Sequence, residues 1–174
     1  TTIFAAHSIA ITAEQIVYIP GYGLRVATST LVGNALGEKD TPKLKATERV
    51  SILITLLIMA VNGIGLYLFA YPFMRLFTNS VHAARIGSEM LRLVSFSEPF
   101  FGLMIVLEGI SYGMGRTKHV FACEAFSMWG IRILGTFLCV NVFGLGLKAV
   151  WLCMIADNIC KAVLLYIFQP KHVE

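Results

Sequence analysis

The chain has 174 residues, 57% of them hydrophobic and 14% charged, with a formal net charge of +4. Soluble domains carry ~25% charged residues, and a mean hydropathy of +0.75 leaves too little polar surface to cover a water-soluble domain of this length. The composition excludes an ordinary soluble enzyme, and a positive charge this modest, typical of Lys- and Arg-rich cytoplasmic loops, argues against nucleic acid as a partner.

Five helical spans account for most of the sequence, so the expected fold class is an all-α membrane protein in a lipid bilayer. The first span runs over 5–36, ended by Gly37 at a C-cap position. Its thirty-two residues are too long for one straight crossing at ~1.5 Å per residue. Pro20, Gly21 and Gly23 mark a kink or unwinding. Glu38 to Arg49 reads as a charged loop containing Pro42 and partly an amphipathic turn. The second span, 50–74, is twenty-five residues without one charged side chain, and as a helix it reaches about 37 Å, enough to cross a ~30 Å hydrocarbon core with tilt.

A short loop follows from Phe73 to His82, with Thr78, Asn79 and Ser80 as turn and N-cap residues. The third span, 86–114, is interrupted by Glu98-Pro99. A basic turn, Gly115 to His119, leads to the fourth span, 120–142, and a turn at Asn141 to Gly146 leads to the fifth, 147–168, stopped by Pro170. No alternating run of useful length suggests a strand, and an open sheet does not survive in lipid.

The loops set an orientation. One side holds Lys39, Lys43, Lys45, Arg49, Arg116, Lys118 and Lys171, whereas the other holds Arg75, Arg85 and Lys148. The first set is placed in the cytoplasm, with the C-terminus on the same side. Cys123, Cys139, Cys153 and Cys160 all fall in apolar stretches without metal-ligand spacing and read as small packing residues. Nothing resembles a cleavable signal peptide. The chain starts at Thr1 and enters an apolar stretch at once, so it is expected to be a piece of something longer.

Ions inside the spans are the candidates for function, because a charge at mid-bilayer costs at least ~2.5 kcal/mol on insertion scales. Asp157 and Lys161 are four apart with the acid first, the helical order of a structural ion pair. Glu124 lies near the interface, and Arg132 needs a partner on another helix. Arg25 follows the Pro-Gly break, where it is expected either to bind freed carbonyls or to meet substrate.

Glu98 precedes Pro99, which removes one backbone donor and disturbs the helix near Ser95. A carboxylate beside released carbonyls suits a cation or a proton, as broken helices do in transporters. Glu108 lies ten residues on, and a straight helix keeps the two acids from sharing one ion. No basic residue lies between Glu98 and Tyr112 to pair with either locally. Coupling and interhelical hydrogen bonding both stand for these acids. Glu14, with Gln15, Thr12 and Tyr18, is a polar patch before the first break, with the same two readings.

Tyr112, with Phe96, Phe100, Phe101, Phe126 and Trp129, either lines a pocket for apolar cations or packs against lipid and core. Gly102, Gly109, Gly113 and Gly115 are expected to permit close helix approach. His7, His82, His119 and His172 sit at span ends or in loops. No constellation of catalytic or cofactor-binding residues emerges.

Several stretches resemble one known family. They are Ala5 to Ala10 (AAHSIA), Ile19 to Gly23 (IPGYG), Ala27 to Gly37 (ATSTLVGNALG) with the charged loop after it, and Glu98-Pro99 through Leu107 to Ile110 and Gly113 to Lys118. Together they resemble the multidrug and toxic compound extrusion (MATE) transporters over essentially the whole chain. The resemblance implies a twelve-helix antiporter of two six-helix lobes, with this chain as helices 8–12 of the C-terminal lobe, residues 1–174. It implies export of small organic cations, amphipathic drugs or toxins, in exchange for Na⁺ or H⁺ across the plasma or inner membrane, together with an N-terminal lobe. Glu14 falls on the eighth helix and Glu98 and Glu108 on the tenth, where coupling acids occur in the family. Substrate-pathway candidates are Tyr18, Arg25, Phe101 and Tyr112. Two further readings are a lipid-linked oligosaccharide flippase of a related fold and a small structural membrane subunit.

Overall fold

In the computed structural model residues 2–169 are described, and among these every regular element is helical. The order is α1 (Thr2–Val17), α2 (Ile19–Gly37), α3 (Thr41–Phe77), α4 (Val81–Ser95), α5 (Glu98–Gly113), α6 (Thr117–Ser127), a π-helical segment (Met128–Ile133), α7 (Leu134–Phe137), a second π-helical segment (Leu138–Val142) and α8 (Leu147–Ile167). Four helical runs are long and apolar enough to span a membrane, and a fifth forms if α4 and α5, bent by 58°, are one broken span. Pro170, Lys171 and His172, used above for the stop and the loop charges, lie outside the described residues.

The breaks follow from backbone chemistry, with corrections to the expected positions. The third span breaks at Phe96–Ser97, just before Pro99, and α4 ends at Ser95 as a missing proline N–H dictates. The backbone N–H and the Oγ of Ser97 both donate to the Val94 carbonyl, at 2.7 and 2.8 Å. In the first span, Pro20, Gly21 and Gly23 are all helical, and the interruption is Tyr18 alone. Pro20 sits in the opening turn of α2, where its absent N–H costs nothing, so the disturbance is displaced upstream.

The α2 terminus also differs from expectation. Gly37 is the last helical residue, and the left-handed position is Lys39, φ +55°. Asp40 N donates to Ala35 O and Lys39 N to Leu36 O, the paired bonds of a Schellman motif. Gly115, φ +72°, does the same after α5, bonding Tyr112 O while Arg116 N bonds Ser111 O. It meets no neighbouring atom, so it ends a helix rather than admitting one.

The charged stretch after α2, expected as a loop over Glu38 to Arg49, is a turn only as far as Asp40 and helical beyond it. α3 begins at Thr41, with Pro42 in its first turn and the Asp40 carboxylate accepting from Lys43 N at 2.9 Å. Its charges lie on a helical extension beyond the apolar run. The helix continues to Phe77, and Ser80 caps α4 through Ala83 N at 3.3 Å, so the third span starts at Val81 rather than at 86.

Packing centres on α5, which contacts α2, α3 and α8. One buried cluster joins Val32, Met59, Phe101, Ile105, Val120 and Leu165, and another joins Ala13, Leu66, Met74, Leu91 and Trp151. Lipid tails are as apolar as leucine, so helices associate through close packing rather than through escape from solvent. Glycines supply that closeness: a Cβ on Gly109 would stand 2.7 Å from the Arg25 carbonyl, and one on Gly113 would stand 2.6 Å from that of Ser29. The opposite face of α3, with Leu53, Leu57, Val61, Ile64 and Leu68, points outward.

Candidate functional site

A cavity of about 290 Å³ lies between α1, α2, α5, α6, the first π-helical segment and α8, lined by both charged and aromatic side chains. The break at Tyr18 aims that ring at α5, where it stacks on Phe101 with centroids 3.9 Å apart and 17° between planes. Tyr18 Oη donates to Glu14 Oε1 at 2.5 Å, one turn away on the same helix. Both residues are buried, with Gln15 beside them on the cavity wall.

Arg25 turns to α5 rather than to the carbonyls freed at the break. Its Nη1 lies 2.9 Å from Glu108 Oε2, and its guanidinium packs 5.2 Å over the Tyr22 ring and 5.9 Å over that of Tyr112. Glu108 thus has a cationic partner 83 positions distant in the chain, which a search for local basic residues could not find. Glu124 is not spent at the interface: it lines the same cavity as Glu108. Two carboxyls and one guanidinium thus share one cavity lining.

On the other wall, Asp157 collects three partners. Lys161 Nζ lies 2.9 Å from Oδ2, the guanidinium of Arg132 lies 3.8 Å away, and Ser127 Oγ donates to Oδ1 at 2.6 Å. Arg132 and Lys161 also line the cavity, beside Asn158. Asn158 and Lys161 stand three apart on α8, a one-face spacing that the sequence carried unread. Ser127 gave no signal, being an ordinary hydroxyl in an apolar run.

Glu98 is placed differently. It opens α5, is fully buried, and neither carboxyl oxygen has a hydrogen-bond partner among the described residues. Its Cβ packs on Gly63 of α3, where an added methyl would meet the Ser95 carbonyl at 2.7 Å. Glu108 lines the cavity and Glu98 does not. Of the aromatic candidates, Phe101 lines the cavity and Tyr112 flanks Arg25. Phe96, Phe100, Phe126 and Trp129 face outward.

Long apolar helices, two of the spans interrupted, and ions gathered at the interruptions define a multi-pass helical membrane protein. Residues 1–138 match the MatE family model, and the chain belongs to that family. It is 29% identical over 165 residues to a probable multidrug resistance protein NorM of Thermotoga maritima, an overlap that covers 95% of this chain and 36% of the relative. A probable multidrug resistance protein NorM of Photorhabdus laumondii is likewise 29% identical over 169 residues, 95% of this chain and 37% of the relative.

Among solved structures, the eukaryotic MATE transporter AtDTX14 superposes with a TM-score of 0.90 at 21% identity, over 95% of this chain and 37% of that one. A MOP-superfamily transporter from Pyrococcus furiosus gives 0.84 at 22%, over 94% and 37%. These structural likenesses concern the fold. The chain spans little more than a third of the length of the relatives it matches.

Proposed function

We propose that this chain supplies helices 8–12, most of the C-terminal lobe, of a two-lobe secondary transporter in the plasma or inner membrane. The transporter exports cationic, amphipathic compounds in exchange for Na⁺ or H⁺, and the chain's C-terminus lies in the cytoplasm. An N-terminal lobe completes the pathway. The exposed apolar faces, among them Phe126, Trp129 and Phe137, are available to that lobe and to lipid.

The observation that carries the reading is Glu98, a buried acid at a 58° helix bend whose two oxygens have no hydrogen-bond partner among the described residues. A buried polar group left unpaired is costly, and a proton or a cation is what removes that cost. Uptake there changes the charge at the joint between α4 and α5, where Glu98 and Ser95 press on Gly63 of α3. Tyr18, Phe101 and Tyr112 offer ring faces to an organic cation. Arg25 holds Glu108 until such a cation competes for the carboxylate.

The family match and the names of the relatives favour neither the flippase nor the structural subunit. A flippase path for anionic lipid-linked sugars wants free arginines, whereas Arg25 and Arg132 each face an acid. The test is efflux against a pH or Na⁺ gradient by the full transporter carrying Glu98→Gln or Glu108→Gln. Loss of gradient-driven efflux in Glu98→Gln is expected, and unchanged transport in both variants removes the coupling role. The five-span chain alone, reconstituted in liposomes, is expected to show no efflux.

A further inference from the structure

We propose that Cys139 and Cys153 form a dithiol site that oxidants of the disulfide class convert into an intrachain disulfide, clamping the last two spans together. The two Sγ atoms are 3.8 Å apart, across the contact between the second π-helical segment and α8. A second observation fixes the approach. Gly135 lies one turn before Cys139, and a Cβ built on it would stand 3.5 Å from Cys153 Sγ. The Cys153 thiol therefore lies against the surface that Gly135 leaves bare, on the helix face that carries Cys139.

Both thiols are half-buried, open enough for a small reagent. A disulfide needs the sulfurs at about 2.05 Å, so they must close by less than the length of one further S–S bond. The hairpin that joins them permits this: Gly144 and Gly146 flank Leu145 in its turn, with Gly144 at φ +61°.

The chemistry balances as thiol–disulfide exchange. The thiolate of one cysteine attacks a sulfur of the oxidant, giving a mixed disulfide and releasing one thiol of the reagent. The second cysteine attacks the protein sulfur of that mixed disulfide and releases the other thiol. The pair loses two electrons and two protons, which the reduced reagent carries away. In the orientation proposed above, the turn after Cys139 faces away from the cytoplasm, the side on which disulfides persist.

Further along the same two spans, Ser127 and Arg132 meet Asp157. A clamp at Cys139 and Cys153 would thus hold one end of the helix pair whose other end borders the cavity.

The experiment uses the reconstituted chain with Cys123→Ser and Cys160→Ser, exposed to oxidised glutathione. Titratable thiols are expected to fall from two per chain to none, and proteolytic mapping is expected to recover Cys139 and Cys153 in one linked peptide that dithiothreitol separates. Adding Cys153→Ser should leave a monothiol chain that forms only a mixed disulfide. The unsubstituted chain, mapped the same way, guards against misfolding of the variant, and the same link is expected there. Persistence of both thiols, linkage between chains, or preferential joining of Cys123 to Cys160 would overturn the assignment. These readouts do not depend on transport, so failure of the clamp and failure of the transporter reading are separable.

Discussion

Two fully buried acids, Glu98 and Asp157, meet opposite fates in this molecule. Asp157 is held by an ammonium, a guanidinium and a hydroxyl drawn from two spans. Glu98 has no hydrogen-bond partner for either oxygen among the described residues. Their surroundings differ too. Glu98 stands where α3 and the α4–α5 bend are pressed together through Gly63. Asp157, on α8, faces Ser127 and Arg132 of the fourth span, whose other face carries the exposed Phe126, Trp129 and Phe137. Among the described residues, the α3 contact thus leaves its acid without a hydrogen bond or a cation, whereas the contact between the fourth and fifth spans gives its acid a hydroxyl on Oδ1 and two cations near Oδ2, the latter oxygen held by charge rather than by a hydrogen bond. The difference separates a carboxyl that joins helices from one with capacity to spare.

The largest effects should fall on transport. Glu98→Gln keeps shape and volume but removes the titratable oxygen, so gradient-driven efflux by the full transporter is expected to drop to background while the protein still folds. Asp157→Ala should do the reverse and act first on stability. Removing it leaves Lys161, only 14% exposed, as a buried cation without its acid, and breaking a buried pair costs about 3–5 kcal/mol. Thermal unfolding in detergent measures that loss. The double replacement Asp157→Leu with Lys161→Met should recover most of it, because removing both charges is close to neutral. If Glu98→Gln unfolds the protein and Asp157→Ala does not, the contrast between the two acids is wrong.

Sequence periodicity and local backbone chemistry made much of this readable. The uncharged run 50–74 needs no tertiary context to be identified as a span. Pro99 acts within its own turn, so the break before it is visible in the residues themselves. The approach of Lys161 to Asp157 follows from helical spacing alone. The rest was hidden for physical reasons. Arg25 reaches Glu108 only after α2 packs on α5, and no rule of local spacing sees across 83 residues. Charge density made Lys43 to Arg49 look like a loop, when it marks a helix extending past the apolar run. Pro20 acts as Pro99 does, from the opening turn of the helix after the break, so the interruption falls at Tyr18, just before the Pro-Gly run rather than within it.

The smallest effects compare the packing around the two acids. Gly63→Ala would force a methyl to within 2.7 Å of the Ser95 carbonyl, a backbone atom that cannot move without changing the bend that carries Glu98. Overpacking of this kind costs about 1–3 kcal/mol, and the variant should lose transport in parallel with stability. Gly130→Ala, in the π-helical segment that carries Arg132, meets no atom within 4 Å. Alanine there should be neutral or stabilise by up to about 1 kcal/mol, since glycine is the poorer helix former. Measured side by side in the same detergent, the two substitutions should move the unfolding temperature in opposite directions or leave Gly130→Ala unchanged. Equal losses at both sites would mean that Gly130 is faced as closely as Gly63, and the contrast between the two helix contacts would fail at its foundation.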